Sequence, residues 1–203
     1  MQVAETNTAV REETVRVFFA IWPDAAAQRQ LAELAERLEA DCDGRKVRAE
    51  NIHLTLVFLG EVSINRLDAL CQAANEVQGT GVRAFDFAVE EVRYWKHNRI
   101  AYAGTAKVPQ GLLDLVNALQ SALSAAGFTF DQQASYVPHI TLVRKARCPA
   151  PSIELRTGLP ELTQPIVWPV REWVLVKSGQ ANGRSGYTPI GRWPLAPGMT
   201  SQR

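Results

Sequence analysis

The phrases HLTL (residues 53–56) and HITL (residues 139–142) repeat one pattern of His, an aliphatic residue, Thr and Leu. The chain has three histidines, and two of them begin these phrases. Alternation of polar and apolar residues is typical of a β-strand with one buried face, because residues two apart point the same way. Each phrase therefore predicts a strand that presents its His and Thr together on the face opposite the core. Folding asks only for alternation here, so the repeated choice of His and Thr indicates a chemical role.

Two such histidines across a cleft suit acid-base catalysis. An imidazole has an unperturbed pKa near 6.5, so His53 and His139 can serve as one base and one acid around neutral pH. The hydroxyls of Thr55 and Thr141 can donate hydrogen bonds to non-bridging phosphoryl oxygens. Arg144, two residues after the second phrase, can clamp phosphate, although an isolated Arg is more often a solvated surface residue. This set predicts phosphodiester chemistry without a metal, and the equivalence of the two phrases leaves open which His is the acid.

The segments around the two phrases predict an α+β fold with mainly antiparallel sheets, because strands and helices mix without strict βαβ alternation. Helices are predicted from Asp24 to Asp43-Gly44, from Ser63 to Gly79-Thr80-Gly81, and over the segment that ends at Gly127. Strands are predicted at residues 14–21, 46–49, 53–59, 85–95, 99–104, 139–143, 166–178 and 187–190, with a turn over 178–187. Gly60 is predicted to close the strand at 53–59, and Pro169 to place the start of the 166–178 strand at a sheet edge or bulge.

Composition narrows the class of protein. The 203 residues are 46% hydrophobic and 21% charged, which is ordinary for a globular chain, with a formal net charge of +1. That charge argues against a protein that coats long duplex nucleic acid. No apolar run is long enough to span a bilayer and no cleavable leader is evident, so we expect a soluble, cytoplasmic protein with no membrane partner. Nothing in the pattern indicates oligomerisation, so we expect a monomer.

The remaining polar motifs favour ordinary structural roles. Cys42, Cys71 and Cys148 are odd in number and lack C-x-x-C spacing, which predicts three buried or half-buried free thiols and no disulfide framework. His97 falls in a predicted turn without a Thr partner, so we expect a surface residue. The three histidines lack the spacing of a zinc site, so no metal is expected. The cluster at 45–48, RKVR, is too short to form a nucleic-acid patch by itself, although it can help steer RNA.

The motifs and their flanks resemble the 2H phosphoesterase superfamily, and in particular the bacterial LigT-like RNA 2′,3′-cyclic phosphodiesterases. The resemblance is carried by RVFFAIW, VRAENIHLTLVFLGE, YVPHITLVRK and KSGQANGRSGYTPIGRWPL, which together extend over nearly the whole chain. It implies two pseudo-symmetric α+β lobes with an active-site cleft between them. It also implies opening of RNA 2′,3′-cyclic phosphate ends to 2′-phosphomonoesters with no metal or nucleotide cofactor. Relatives of this kind are also known as 2′-5′ RNA ligases.

The resemblance also implies residue roles. His53 would protonate the departing ribose 3′ oxygen, and His139 would activate water. Thr55 and Thr141 would bind phosphate oxygens. Further phosphate or substrate contacts are expected from Arg144, Phe19 and Tyr187.

The expected domain organisation is a single bilobal domain over 14–195 with flexible ends at 1–13 and 196–203. The alternative function is a nucleotide or RNA-end binding module that keeps this fold without turnover.

Overall fold

A computed structural model describes residues 12–131, 136–148, 159, 162–181 and 184–198, so most of the two predicted flexible ends lies outside the described residues. The strands are β1 Thr14–Ile21, β2 Arg45–Lys46, β3 Leu54–Ser63, β4 Phe85–Val89, β5 Glu91–Trp95, β6 Ile100–Gly104, β7 His139–Arg144, β8 Ile166–Val170, β9 Glu172–Ala181 and β10 Arg184–Pro194. The helices are α1 Ala25–Cys42, α2 Leu67–Gly79 and α3 Gln110–Ala125, with short 3₁₀ helices at Ala49–Asn51 and Ile64–Arg66.

The main sheet consists of two halves joined at one point. Its strand order is β10-β9-β1-β3-β7-β6-β5, with β2 also paired to β7, and neighbouring strands are antiparallel. The halves meet between β3 and β7, where the paired residues are Leu54 and Ile140. Strands β4 and β8 form a separate two-stranded sheet. The predicted α+β class with mainly antiparallel sheets is confirmed.

The three helices cover one face of the main sheet. Helix α1 begins where the side chain of Asp24 accepts hydrogen bonds from two main-chain N–H groups, and it ends at Asp43 in the left-handed conformation. Apolar residues at helical spacing are buried, as the sequence predicts: Leu31, Leu34, Ala35 and Leu38 in α1, Leu70, Ala74 and Val77 in α2, and Leu112, Leu115, Val116, Leu119 and Leu123 in α3. These side chains join alternate residues of the strands in one core, so the opposite face of the sheet is left to carry the polar residues of the two motifs.

Two predicted strands are each split in the structure. The segment 85–95 forms β4 and β5, and the segment 166–178 forms β8 and β9, with each break marking a change from the small sheet to the main one. Residue-by-residue alternation does not reveal such a change, because each half keeps its own period of two. Pro169 lies in β8, which the described residues pair only with β4, so the predicted edge position is confirmed.

Several predicted boundaries are also corrected. Gly60 does not close β3: it adopts a φ of 72°, which glycine tolerates, and the strand continues to Ser63. Ser63 makes no capping bond, because its hydroxyl donates instead to the carboxylate of Glu12, and α2 begins only after a 3₁₀ turn. Strands β9 and β10 extend into the predicted turn at 178–187.

The prediction of three free cysteines is wrong for two of them. Cys42 at the end of α1 and Cys148 after β7 form a disulfide across 106 residues of sequence. Cys71 is free and half-buried. A separation of this length carries no pairing signal, because only the packing of α1 beside β7 brings the two residues together. Within the described residues, none of the helices is both long and apolar enough to cross a membrane.

Candidate active site

The two motifs lie side by side at the joint of the sheet. Because β3 and β7 are antiparallel and Leu54 pairs with Ile140, the register sets His53 beside Thr141 and Thr55 beside His139. Leu54 and Ile140 are fully buried in the core, so the residues on either side of them point to the opposite face. The fold thus brings together all four residues that the repeated phrase singles out.

Both imidazoles are held in the same way. His53 donates from Nδ1 to the carbonyl of Asn51 at 2.7 Å, and His139 donates from Nδ1 to the carbonyl of Val137 at 2.9 Å. A carbonyl can only accept, so each Nδ1 carries the proton and each neutral ring has its lone pair on Nε2. The hydroxyl of Thr55 lies 3.2 Å from Nε2 of His53, to which it can donate. Each Nε2 is therefore the atom that can take up or release a proton.

The electrostatics of the site favour neutral imidazoles. Burial lowers the pKa of His53 to about 4, with the charges of Arg144 and His139 acting in the same direction and the hydrogen bond to Asn51 opposing them. Burial also lowers the pKa of His139, as does Arg144, against the bond to Val137. Arg144 acts on both rings and His139 acts on His53, so the three groups belong to one electrostatic site. An anion between them would favour protonation of an imidazole.

Aromatic rings surround both histidines. The ring of His53 stacks on Phe18 and Trp22, with centroids 5.0 and 4.9 Å apart, and meets the edge of Tyr187 at 5.2 Å. The ring of His139 meets Trp95 at 4.6 Å and Tyr102 at 5.8 Å. These rings account for the desolvation of both imidazoles, and they restrict each to one orientation.

A second contact ties the two motifs together. The hydroxyl of Tyr136, three residues before His139, donates to the carbonyl of Thr55 at 2.8 Å. Burial raises the pKa of this phenol, which keeps the hydroxyl protonated as a donor. The segment that leads into the second motif is therefore hydrogen-bonded to the strand that carries the first motif.

A β-bulge follows the Thr of each motif. In β3, Thr55 pairs with Ala20 and Val57 with Phe19, so Leu56 is the extra residue. In β7, Thr141 pairs with Tyr102 and Val143 with Ala101, so Leu142 is the extra residue. A bulge re-aims the side chains that follow it. Phe58 in β3 and Arg144 in β7 consequently turn back to the polar face, while the Val before each stays buried.

A cleft of about 910 Å³ opens on this face and is bordered by the first motif. Its described lining residues include His53, Thr55, Phe18 and Tyr187. The cations that line it are Arg16, Arg45, Lys46, Arg48, Arg144 and Lys177, against the acidic Glu13 and Glu61. A cleft lined mainly by one sign of charge concentrates ligands of the opposite sign, so this one suits an anion.

The predicted aromatic contact at Phe19 is wrong. Phe19 is fully buried, on the helix side of the sheet, and packs against Trp173 and Trp193. Its neighbour Phe18 faces the cleft instead. The run VFFAI is apolar on both faces of β1, so the sequence gives no sign of which parity faces the site. Tyr187 and Arg144, which are also predicted to contact the substrate, both line the cleft.

Other residues of the site were missed by sequence reasoning. Trp22 and Trp95 each flank one of the histidines, and neither carries a local signal. The bulges do carry one, because Leu-Val follows the Thr in both motifs and breaks the alternation. His97 is exposed in the turn before β6, as predicted. In the described part of the chain, no group of three or more His, Cys, Asp or Glu residues is arranged to hold a metal ion.

Comparisons with known proteins agree with this geometry. The family model described as LigT like phosphoesterase matches residues 21–102 and 104–187. A curated RNA 2′,3′-cyclic phosphodiesterase of Escherichia coli is 33% identical over 187 residues, which cover 90% of this chain and 98% of that protein. One of Thermotoga maritima is 33% identical over 135 residues, covering 64% of this chain and 70% of that protein. The crystal structure of E. coli LigT with 3′-AMP superposes with a TM-score of 0.76 at 32% identity, covering 90% of this chain and 99% of that one.

Proposed function

The chain belongs to the LigT-like phosphoesterase family, and from this premise we propose that its cleft opens 2′,3′-cyclic phosphates at RNA ends to 2′-phosphomonoesters. An enzyme with this activity is a phosphoric diester hydrolase, as the name of the curated relatives states. The observation that supports the mechanism most directly is the meeting of two imidazoles, each with Nδ1 tied to a carbonyl and Nε2 left to exchange a proton.

The proposed reaction is an in-line displacement at phosphorus. His139 takes a proton from water through Nε2, and the water oxygen bonds to phosphorus as the bond from phosphorus to the ribose 3′ oxygen breaks. His53, protonated on Nε2, donates its proton to that leaving oxygen. The products are a 2′-phosphate and a free 3′ hydroxyl, with His53 neutral and His139 protonated until proton exchange with water restores both.

The charge of the substrate supports a pair in which one imidazole is protonated. Both imidazoles favour the neutral form because they are buried and lie near Arg144. A cyclic phosphate carries one negative charge, and an anion between the rings raises their pKa values. Binding of the substrate thus favours the singly protonated pair that catalysis requires.

The remaining residues hold the phosphate. Thr55 and Thr141 lie beside the two histidines on one face of the paired strands, and their hydroxyls can donate to the non-bridging oxygens as charge builds on them. Arg144, turned to the cleft by the bulge at Leu142, supplies a guanidinium for the same oxygens. Tyr187 borders the cleft beside His53, where an aromatic ring can contact the terminal nucleoside.

The same geometry supports attack on phosphorus by a second nucleophile besides water. If a 5′ hydroxyl of another RNA replaces water, His139 takes its proton, the 3′ oxygen departs with the proton of His53, and a 2′-5′ linkage forms. A 2′-5′ RNA ligase activity therefore needs no further catalytic group. The expected partners are RNA or nucleotide 2′,3′-cyclic phosphate ends. A cytoplasmic location and a monomeric state stay predictions from the sequence.

Single-turnover opening of a short RNA ending in a 2′,3′-cyclic phosphate, with a chelator present, tests this function. The parent should produce a 2′-phosphate end, and His53→Ala and His139→Ala should each lose at least about two orders of magnitude in rate. His97→Ala is the matched control and should keep the parental rate. Tight binding of the RNA end without turnover by the parent would favour the binding-module alternative, and loss of activity with chelator would contradict metal independence.

A further inference from the structure

Two arginines stand directly opposite each other at one wall of the cleft. Arg45 of β2 and Arg144 of β7 are Cα partners across the antiparallel ladder. Like charges in directly opposite positions destabilise a sheet, because their Cβ atoms lie only about 5 Å apart. The chain therefore keeps an unfavourable pair at a place where any two neutral residues would pair better.

Three cations near this pair form ion pairs with carboxylates, whereas Arg45 and Arg144, like Arg16 and Lys177 on the same cleft, form none among the described residues. These ion pairs join Lys46 with Glu36 and Glu39, Arg48 with Glu50, and Arg147 with Asp43. Both side chains are exposed to the cleft. Repulsion between two such guanidiniums is relieved most directly by a ligand anion.

The two arginines differ in where they lie relative to the imidazoles. Arg144 is close enough to influence both His53 and His139, which suits contact with the reacting phosphate. Arg45 lies on β2, which pairs with β7 further along the edge that β3 also pairs with, and it lines the same cleft. RNA carries one phosphate per nucleotide. A strand that places its terminal phosphate between the imidazoles must set its next phosphate a short distance along the cleft.

We propose that Arg45 binds the phosphodiester that joins the terminal nucleotide to the preceding one, so that the cleft selects oligoribonucleotides over mononucleotides. The proposal rests on the proposed function, because that function puts the terminal phosphate between the imidazoles. The 5′-phosphate of a single nucleotide offers the same chemistry at the same position. The test must therefore separate a bridging phosphate from a free one.

Equilibrium binding of product-type ligands tests Arg45 without requiring turnover. The ligands are a nucleoside 2′-phosphate, the corresponding nucleoside 2′,5′-bisphosphate, and a dinucleotide with a 2′-phosphate end. Arg45→Gln is compared with the parent and with Arg37→Gln, which removes the same charge from an exposed position on α1. Arg45→Gln should weaken dinucleotide binding about tenfold, as expected for a charged hydrogen-bonded contact, and leave the nucleoside 2′-phosphate within about twofold. Arg37→Gln should leave the Kd of each ligand near the parental value.

Salt dependence gives a second readout. Loss of one phosphate contact should reduce the slope of log Kd against log salt for the dinucleotide by about 0.7. The melting temperature of Arg45→Gln should equal or exceed that of the parent, because the substitution removes a like-charge pair. With an unchanged or higher melting temperature, weaker binding by this variant does not result from a folding defect.

The outcomes are distinct. A loss for the dinucleotide that is larger than the loss for the bisphosphate supports the proposal. A loss for the bisphosphate that equals or exceeds the loss for the dinucleotide assigns Arg45 to a free 5′-phosphate and overturns it. Equal losses for the three ligands, or none, overturn it as well. The parent could bind the dinucleotide through Arg45 and yet fail to open cyclic ends. That result would overturn the proposed function and leave this inference standing.

Discussion

Leu54 of β3 lies directly opposite Ile140 of β7, and this pair joins the two halves of the main sheet. Both side chains are fully buried. Each is preceded by the histidine and followed by the threonine of its motif. Packing on the core face of the sheet therefore sets the position of the proposed catalytic groups on the other face. Substitutions that alter this packing should also displace those groups.

Ile140→Ala should lower the free energy of unfolding by about 2–5 kcal/mol, because it removes buried methyl groups and leaves a cavity at the joint of the sheet. Ile190→Ala is the matched control: Ile190 is 37% exposed, so its loss should cost less than about 1 kcal/mol. Urea denaturation measures both. Equal losses for the two variants would show that the joint is not a tightly packed part of the core.

The pH dependence of kcat/KM should be bell-shaped with its maximum on the acid side of pH 6.5. In the free enzyme, the group that must be protonated has a pKa below its usual 6.5, so the rate falls as pH rises through that value. The group that must be neutral, His139, also has a lowered pKa, and the rate falls as pH drops through that pKa. The two limbs belong to the coupled pair rather than to single residues.

The profile of kcat should lie at higher pH than that of kcat/KM, because the bound phosphate raises the pKa of an imidazole. Steady-state rates on a dinucleotide cyclic phosphate, measured from pH 4 to 9 with chemistry shown to be rate-limiting, check both profiles. A kcat/KM maximum above pH 7.5 would contradict the desolvation of the two rings.

Thr55→Val and Thr141→Val should each reduce kcat by about 10²–10³-fold, because each removes a hydroxyl that donates to the phosphate as charge develops. Thr55→Ser and Thr141→Ser keep the hydroxyl and should recover most of the rate. Single-turnover kinetics with saturating enzyme separate this effect from substrate binding. Val and Ser variants with equal rates would indicate that the threonines serve packing and not chemistry.

Phe18→Leu should raise the pKa of His53 toward 6.5, because the ring that stacks on the imidazole excludes water from it. Phe19→Leu is the neighbouring control, since Phe19 lies on the helix side of the sheet. It should lower stability and leave the titration of His53 in place. NMR titration of the His53 ring protons measures the difference, and equal shifts in both variants would refute the assignment of faces.

Breaking the disulfide should lower the free energy of unfolding by about 2–4 kcal/mol, because it releases a long closed loop in the unfolded chain. Cys148→Ser is compared with Cys71→Ser, which removes the free thiol. Under oxidising conditions only Cys148→Ser should be destabilised. Adding reductant should bring the parent to the stability of Cys148→Ser, and a parent unaffected by reductant would contradict a bond that stabilises the native state.

Local patterns in the sequence were enough to predict the helices and to single out the residues that are proposed to carry the chemistry. The buried stripes of α1, α2 and α3 follow from helical spacing, and the pairing of His with Thr follows from the period of a strand. Both patterns repeat within a few residues, so they can be recognised without knowing which elements pack together. The same holds for the exposed turn around His97.

Where strands meet, these local patterns gave less information. The splitting of 85–95 and 166–178 between two sheets, and the extension of β3 past Gly60, depend on which strand lies alongside. Phe18 and Phe19 are equivalent by composition, and only the packing of β1 decides which faces the cleft. In each case the deciding contact comes from a segment far away in sequence.

The sequence by itself determined that two equivalent His-Thr pairs exist and that each pair shares one face of a strand. Only the tertiary structure decided that these faces meet, through Leu54 and Ile140, and that bulges after the threonines turn Arg144 toward them. It also decided the pairing of Cys42 with Cys148 and the opposition of Arg45 to Arg144. The physical reason is that alternation is a local property of the backbone. Register, bulges and contacts across the sheet arise only when distant strands exchange hydrogen bonds.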